Sequence, residues 1–280
     1  MNQLRTAILG MGLMGGSLAL ALKEAVGSLS AVDPDPETRR LVREANLVDE
    51  ISEDPVPILT GADLIILAAP VGQILEIIPR LPDWHAGQAV VLDLGSTKGA
   101  VCRELTKLPD RFDPLGGHPI CGKAAGGFEH AEPDLYQGAH FVFSALPQTS
   151  SRARKVAEQL AAAIGAKPLW MEADLHDTFV GATSHLPYLL SVVQVLATPE
   201  SAGGLIGPGF QSATRLANTP REMILDVLLT NRDPVLDHLE RAREILEGLE
   251  KQLRSPESSG LRSLLERAAA RKEQLDREAA

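Results

Sequence analysis

"RTAILGMGLMGGSLALAL", Arg5 to Leu22, decides the fold. It opens as an apolar run of strand length and closes on small and apolar residues at helical spacing. Between them lies the pattern Gly10-x-Gly12-x-x-Gly15. A strand that turns into a helix through glycines leaves the first N–H groups of the helix without partners, on a backbone that a ligand can approach closely. The first glycine permits the tight turn, the second admits a diphosphate, and the third lets helix and strand pack. From Ala7 to Leu22 the stretch is uncharged and follows Arg5, so it also resembles the apolar core of an export signal. It is short for a bilayer span, and its four glycines suit a phosphate loop better than a membrane helix. No other segment reads as long and apolar enough to be a membrane span.

The next apolar run, "LSAVD", ends at Asp33, 23 residues beyond Gly10. A carboxylate there accepts hydrogen bonds from a ribose diol and repels a 2′-phosphate, which favours NAD over NADP. Asp35 follows closely, so the spacing alone leaves open which of the two meets the ribose. The expected cradle is Gly10, Gly12, Leu13, Met14, Gly15 and Asp33, with Ala69 and Pro70 at the end of the buried run "ADLIILAAP".

Further along, short apolar runs alternate with helical patterns as far as "KPLWM" near residue 170. Strand, helix, strand, repeated, implies an α/β domain with a mostly parallel sheet of Rossmann type. After Trp170 the strand signals stop and an all-helical region follows. We expect a dinucleotide-binding domain over 1–171 and a helical domain over 172–280, with Ser255 to Gly260 as a short connector.

Composition narrows the function. A net charge of −10 argues against sequence-independent nucleic-acid binding, which needs many cations, yet it leaves room for a locally basic site and a small anionic substrate. Two cysteines, Cys102 and Cys121, make no disulfide framework, and a reducing, cytoplasmic setting is expected.

The candidates for chemistry lie elsewhere. His118 stands between Gly117 and Pro119 in "PLGGHPICGKA". Four readings compete for it: a satisfied core histidine, a zinc ligand with Cys121, part of a phosphate loop, or a general base. No third and fourth ligand complete a zinc set, so no metal is expected, and Ala124 lacks the hydroxyl that a phosphate loop uses on magnesium. A base at the carboxyl end of a strand, where ligands of open α/β sheets bind, is the best reading. In "DLGSTKG", Ser96 reads as a helix cap or a site hydroxyl, and Lys98 is a cation in a first helical turn, where it opposes the dipole unless an anion is near. His185 in "TSHLPYLL" reads as a core histidine beside a proline kink or as a site residue. Arg215 in "GFQSATRLANTP" reads as a surface arginine or a carboxylate clamp.

Taken together, the Gly10-Gly12-Gly15 loop, "DLGSTKG", "GGHP", "SHLP" and "GF" followed by "TR" resemble the prephenate/arogenate dehydrogenase family of tyrosine biosynthesis. The likeness covers most of the chain. It implies a Rossmann-type domain, a helical domain through which two subunits associate, and NAD(P)-dependent oxidation of prephenate or arogenate with loss of carbon dioxide. By residue, it implies that His118 accepts the proton of the ring 4-hydroxyl, that Ser96 binds the same hydroxyl, that Arg215 holds the ring carboxylate, and that His185 lines the site. The chain differs from the family pattern at Tyr188, where a second histidine is common, and at Lys123, where a small hydroxyl residue is common. It also has no tryptophan near Met223 and Ile224. Tyr188 and Lys123 are therefore the expected contacts to the substrate side chain. The reading is prephenate dehydrogenase with NAD. Arogenate dehydrogenase is the alternative, and no partner beyond the small substrate and a second subunit is expected, neither nucleic acid nor membrane. Hydroxyacid dehydrogenases with a lysine in the helical part fit less well, since Tyr188 to Gln211 has none. An NAD-sensing binding protein would need neither His118 nor Arg215.

Overall fold

The computed structural model describes residues 1–123 and 125–279. Elements follow in chain order as β1 (Arg5–Leu9), α1 (Leu13–Leu22), β2 (Ser28–Val32), α2 (Pro36–Glu44), β3 (Glu50–Ser52), α3 (Pro55–Leu59) and β4 (Leu64–Leu67). Then come α4 (Val71–Ile77), α5 (Leu81–Trp84), β5 (Ala89–Asp93), α6 (Gly99–Leu105), β6 (Phe112–Pro119), β7 (His140–Ala145), α7 (Ser151–Ala163) and β8 (Lys167–Trp170). The helical part holds α8 (Ala173–Val180), α9 (Leu186–Ala197), α10 (Pro208–Thr214), α11 (Arg221–Thr230), α12 (Arg232–Arg254) and α13 (Ser259–Ala279).

The eight strands form one sheet in the order β3-β2-β1-β4-β5-β6-β7-β8. Every pairing is parallel except β6 with β7. The order reverses between β1 and β4, which opens the crevice where doubly wound sheets hold dinucleotides. Strands β4 and β5 are buried at every position, as parallel strands covered on both faces must be. One core cluster lies on each face, the first built on α1, β2 and α7, the second on α3, α4 and α6.

Two strands differ from the sequence reading. β3 is three residues long, too short to show a pattern. β6 runs through "FDPLGGHP", whose two prolines and two glycines hide its extent, although His118 falls at a strand's carboxyl end as expected. The glycines are there for space. A side chain at Gly116 would meet the Cys102 sulfur at 2.7 Å, and one at Gly117 would meet the Asp93 carbonyl at 2.6 Å.

The helical part also holds a correction. Ala173 to Ala197 form one continuous run of 25 residues, with a mean hydropathy of 1.4 in its most apolar window, long and apolar enough by length and composition to cross a membrane. In the sequence Pro187 reads as a kink within this run. In the structure it falls at the start of α9, directly after a π turn over Gly181–His185 that absorbs the missing hydrogen bond. One side of this run is buried through His176, Asp177, Val180, His185 and Ser191, while Phe179, Val193 and Leu196 are exposed.

Geometrically, residues 1–232 form one unit and residues 233–280 another. In the second, α12 and α13 are amphipathic and laced by pairs one turn apart, such as Arg254 with Glu250 at 2.5 Å and Lys272 with Asp276 at 2.5 Å.

Candidate functional site

The glycine loop adopts the geometry its spacing calls for. Gly10 sits at φ +98°, and a side chain there would reach the Ala68 carbonyl at 2.7 Å. At Gly15 a side chain would sit 1.9 Å from the Gly10 carbonyl, whereas Gly12 faces open space with nothing within 4 Å. No side chain caps the N-terminus of α1, so its leading N–H groups are left for an anion. These features fit a bound dinucleotide: room at Gly12, donors from Leu13 and Met14, and the Ala69–Pro70 turn close by. The tyrosine hydroxyl of Tyr136 donates to the Met14 carbonyl at 2.7 Å and ties the chain beyond β6 to this loop.

The two aspartates separate cleanly. Asp35 is the N-cap of α2, accepting from the backbone and hydroxyl of Thr38 at 2.8 Å each, and those bonds hold its carboxyl below the usual range. Asp33 lies just past β2, nearly buried, and accepts from the N–H of Met11 at 2.7 Å and of Asp35 at 2.9 Å. It is therefore held beside the glycine loop with lone pairs to spare, whereas Asp35 is committed to its cap.

His118 is the penultimate residue of β6, half-buried at the strand's carboxyl end. Its Nδ1 lies 2.8 Å from Nε2 of His176, and His176 Nδ1 lies 2.8 Å from Oδ1 of Asp177. The same carboxylate accepts from the N–H groups of Lys98 and Gly99 at 2.7 Å each, capping α6 from a different helix. Burial raises the Asp177 carboxyl, but the bonds from His176, Lys98 and Gly99 outweigh it and leave it below the ordinary value. Burial, with help from His176, Lys98 and His185, holds the His118 imidazole well below its usual 6.5, so it is neutral near pH 7. A neutral imidazole is a base.

The anion that Lys98 calls for is internal. Its ammonium is fully buried against Asp93 and also donates to the Gly117 carbonyl at 2.7 Å. Asp93 accepts in turn from Gly95 at 2.8 Å and Gly117 at 3.1 Å. This buried pair fixes the backbone that carries His118. Asn231, at the end of α11, donates to the Asp177 carbonyl at 2.8 Å and sits 3.0 Å from His185 Nδ1, which brings buried His185 into the same network.

The remaining candidates lie as follows. Ser96 is half-buried and its hydroxyl makes no hydrogen bond within the described residues, so it does not cap α6. Arg215 is exposed on the turn Arg215–Asn218, which packs against α9, and it has no ion-pair partner among the described residues. Tyr188 is half-buried in the first turn of α9. Lys123 is paired with Glu132 and donates to the His130 carbonyl at 3.3 Å, a tether that opposes its use as a free cation toward substrate. Ala124 lies outside the described residues. Burial pushes the Cys121 thiol up to about 11. Among the described residues, no group of three or more His, Cys, Asp or Glu side chains is placed to hold a metal.

Sequence reasoning missed His176, Asp177, Asp93 and Asn231. One signal was available: "HD" is an adjacent ionisable pair just ahead of a long apolar stretch, and such a pair, once buried, needs hydrogen-bond partners.

A glycine loop suited to a dinucleotide on β1, with a neutral imidazole held at the carboxyl end of β6 in the same sheet, fits the class of nicotinamide-dependent dehydrogenases. Comparison with known proteins narrows the class. Residues 18–169 match the family described as "Prephenate dehydrogenase, nucleotide-binding domain" and residues 172–267 the one described as "Prephenate dehydrogenase, dimerization domain". The chain belongs to the prephenate dehydrogenase family. It is 29% identical to prephenate dehydrogenase of Bacillus subtilis over 88% of this chain and 70% of that one. Prephenate dehydrogenase of A. aeolicus, solved with hydroxyphenyl propionate and NAD+, superposes with a TM-score of 0.87 at 27% identity, covering 96% of this chain and 97% of that one. Synechocystis arogenate dehydrogenase gives a TM-score of 0.83 at 26% identity, covering 96% and 99%.

Proposed function

We propose that this chain oxidises prephenate with NAD+, with loss of carbon dioxide, to give 4-hydroxyphenylpyruvate. The observation that carries the reading is His118: a neutral imidazole at the carboxyl end of β6, with Nδ1 engaged by His176 and Nε2 left without a partner among the described residues.

Gly10, Gly12, Leu13, Met14, Gly15, Asp33, Ala69 and Pro70 hold the cofactor, and bound NAD+ supplies the hydride acceptor. His118 takes the proton of the ring hydroxyl, which pushes electron density onto the carbon that loses hydride. A positioned base of this kind contributes about 10²–10⁴-fold. Ser96 offers an uncommitted hydroxyl to the same oxygen. Arg215 clamps the ring carboxylate by parallel hydrogen bonds and acts mainly by alignment, because over-stabilising a group that must leave as carbon dioxide would slow the reaction. His185 lines the site beneath Asn231, and Tyr188 meets the substrate side chain. Lys123 reaches the second carboxylate only by exchanging Glu132 for it. A substrate-free NAD sensor would have no use for the His118 base.

We assign cofactor binding to residues 1–171 and subunit association to 172–280. The exposed Phe179, Val193 and Leu196 on one side of the long helix suit a second copy of the chain and support a homodimer. Free Cys102 and Cys121 suit a reducing, cytoplasmic setting.

The test is incubation of the purified chain with prephenate and with arogenate, each with NAD+ and NADP+, following reduced nicotinamide. Prephenate with NAD+ is the expected productive pair. Reduction with arogenate alone would reassign the substrate, and none with either would overturn the reading.

A further inference from the structure

We infer that His176 and Asp177 are positioning residues that set the tautomer of His118, leaving its Nε2 bare for the substrate proton. The inference deepens the proposed reaction and rests on His118 being its base.

Donor and acceptor accounting carries it. Asp177 accepts three hydrogen bonds, from Lys98 N, Gly99 N and His176 Nδ1. An ionised carboxylate only accepts, so the shared proton sits on His176 Nδ1. With one proton on that ring, His176 Nε2 is an acceptor. His118 Nδ1 faces it at 2.8 Å, too close for two bare lone pairs, so the His118 proton sits on Nδ1. His118 Nε2 then carries none.

The geometry is built to hold this arrangement. The two rings meet edge-on, with centroids 5.0 Å apart and planes at 75°, an orientation that lets the N–H in the plane of one ring point at the in-plane lone pair of the other. Asp177 cannot swing away, since it also caps α6. The reverse arrangement needs a second proton on His176, whose Nδ1 proton is already committed to Asp177. The titratable and charged groups around His118 are His176 and Asp177 of α8, Lys98 before α6, Asp93 of β5, and His185 of the π turn. When Nε2 takes the substrate proton, the Nδ1–H bond to His176 becomes charge-assisted, and the Asp177 carboxylate balances the new charge from the far end of the chain. No proton leaves the His118 ring in that step; the ring gains one, and the substrate oxygen loses one.

The test combines two readouts on the full chain with NAD+ bound. In 15N-histidine NMR, wild-type His118 should show a protonated Nδ1 and a bare Nε2, whereas His176→Leu should show a mixture of tautomers. In steady-state kinetics, His176→Leu should lose about 10²-fold in kcat, within the range a base supplies, while KM stays within about threefold. His176→Gln, whose amide oxygen still accepts from Nδ1–H, should recover most of that loss. A proton on His118 Nε2 in the wild type overturns the inference, as does a His176→Leu kcat within about threefold of wild type. The NMR arm needs no turnover. Its failure sinks the tautomer assignment alone, whereas inactivity of the wild-type chain toward both substrates sinks the proposed function.

Discussion

Replacing Lys98 by Met tests whether the site rests on a buried ion pair. Lys98 and Asp93 are both 0% exposed, and the ammonium also holds the Gly117 carbonyl one residue before His118. Met fills a similar volume but leaves the Asp93 carboxylate sealed in with only the Gly95 and Gly117 N–H groups as partners among the described residues. Breaking a buried pair on one side costs about 3–5 kcal/mol, because the remaining charge keeps its desolvation penalty without its counter-ion. Removing both charges, in Lys98→Met with Asp93→Asn, should recover a large part of that, since replacing a whole buried pair by neutral groups is often nearly neutral. Urea unfolding followed by Trp84 and Trp170, the two tryptophans of the chain, reads the sheet domain directly. The single variant should show a lower midpoint at unchanged slope, with the double variant in between. A single-variant loss below about 1 kcal/mol, or a double variant no better than the single, would refute the reasoning.

Asp33→Ala should erode the preference for NAD+ over NADP+, measured as the ratio of kcat/KM values; a chain that already prefers NADP+ contradicts the ribose assignment. Arg215→Ala should raise KM sharply with a smaller change in kcat, and a pure kcat effect would mean that it does not anchor the substrate. The depressed His118 value has two consequences for pH. The acid limb of kcat/KM should fall below pH 6.5, where the free base finally protonates. The stability contribution runs the same way: the unfolded imidazole takes a proton near pH 6.5 and the folded one does not, so the contribution is present above that value and lost as pH falls toward the folded pKa. An acid limb centred at or above 6.5 would contradict this.

The parts of the molecule legible in the sequence are those whose physics is local. Gly10, Gly12 and Gly15 sit within one turn, and the demand for φ +98° and for a 1.9 Å gap is met by glycine alone. The place of Asp33 just past β2 was legible, though setting it apart from Asp35 needed the cap to Thr38. A strand ending at His118 was legible, but the extent of β6 was not, because its glycines answer to Cys102 and Asp93 on other elements rather than to any strand pattern. The partners of His118 were hidden for the same reason: His176 lies 58 residues away, and nothing in the local pattern says that α8 docks its first turn there. Lys98 was recognised as needing an anion, but only the fold shows that the anion is Asp93 rather than a ligand.

The proposed reaction turns on the His118 imidazole removing the proton that sets hydride free. The most direct measurement is His118→Asn, with NAD+ affinity and turnover of prephenate determined on the same preparation. The account predicts nearly unchanged NAD+ binding and a kcat lower by about 10²–10⁴-fold. Turnover close to wild type would contradict it.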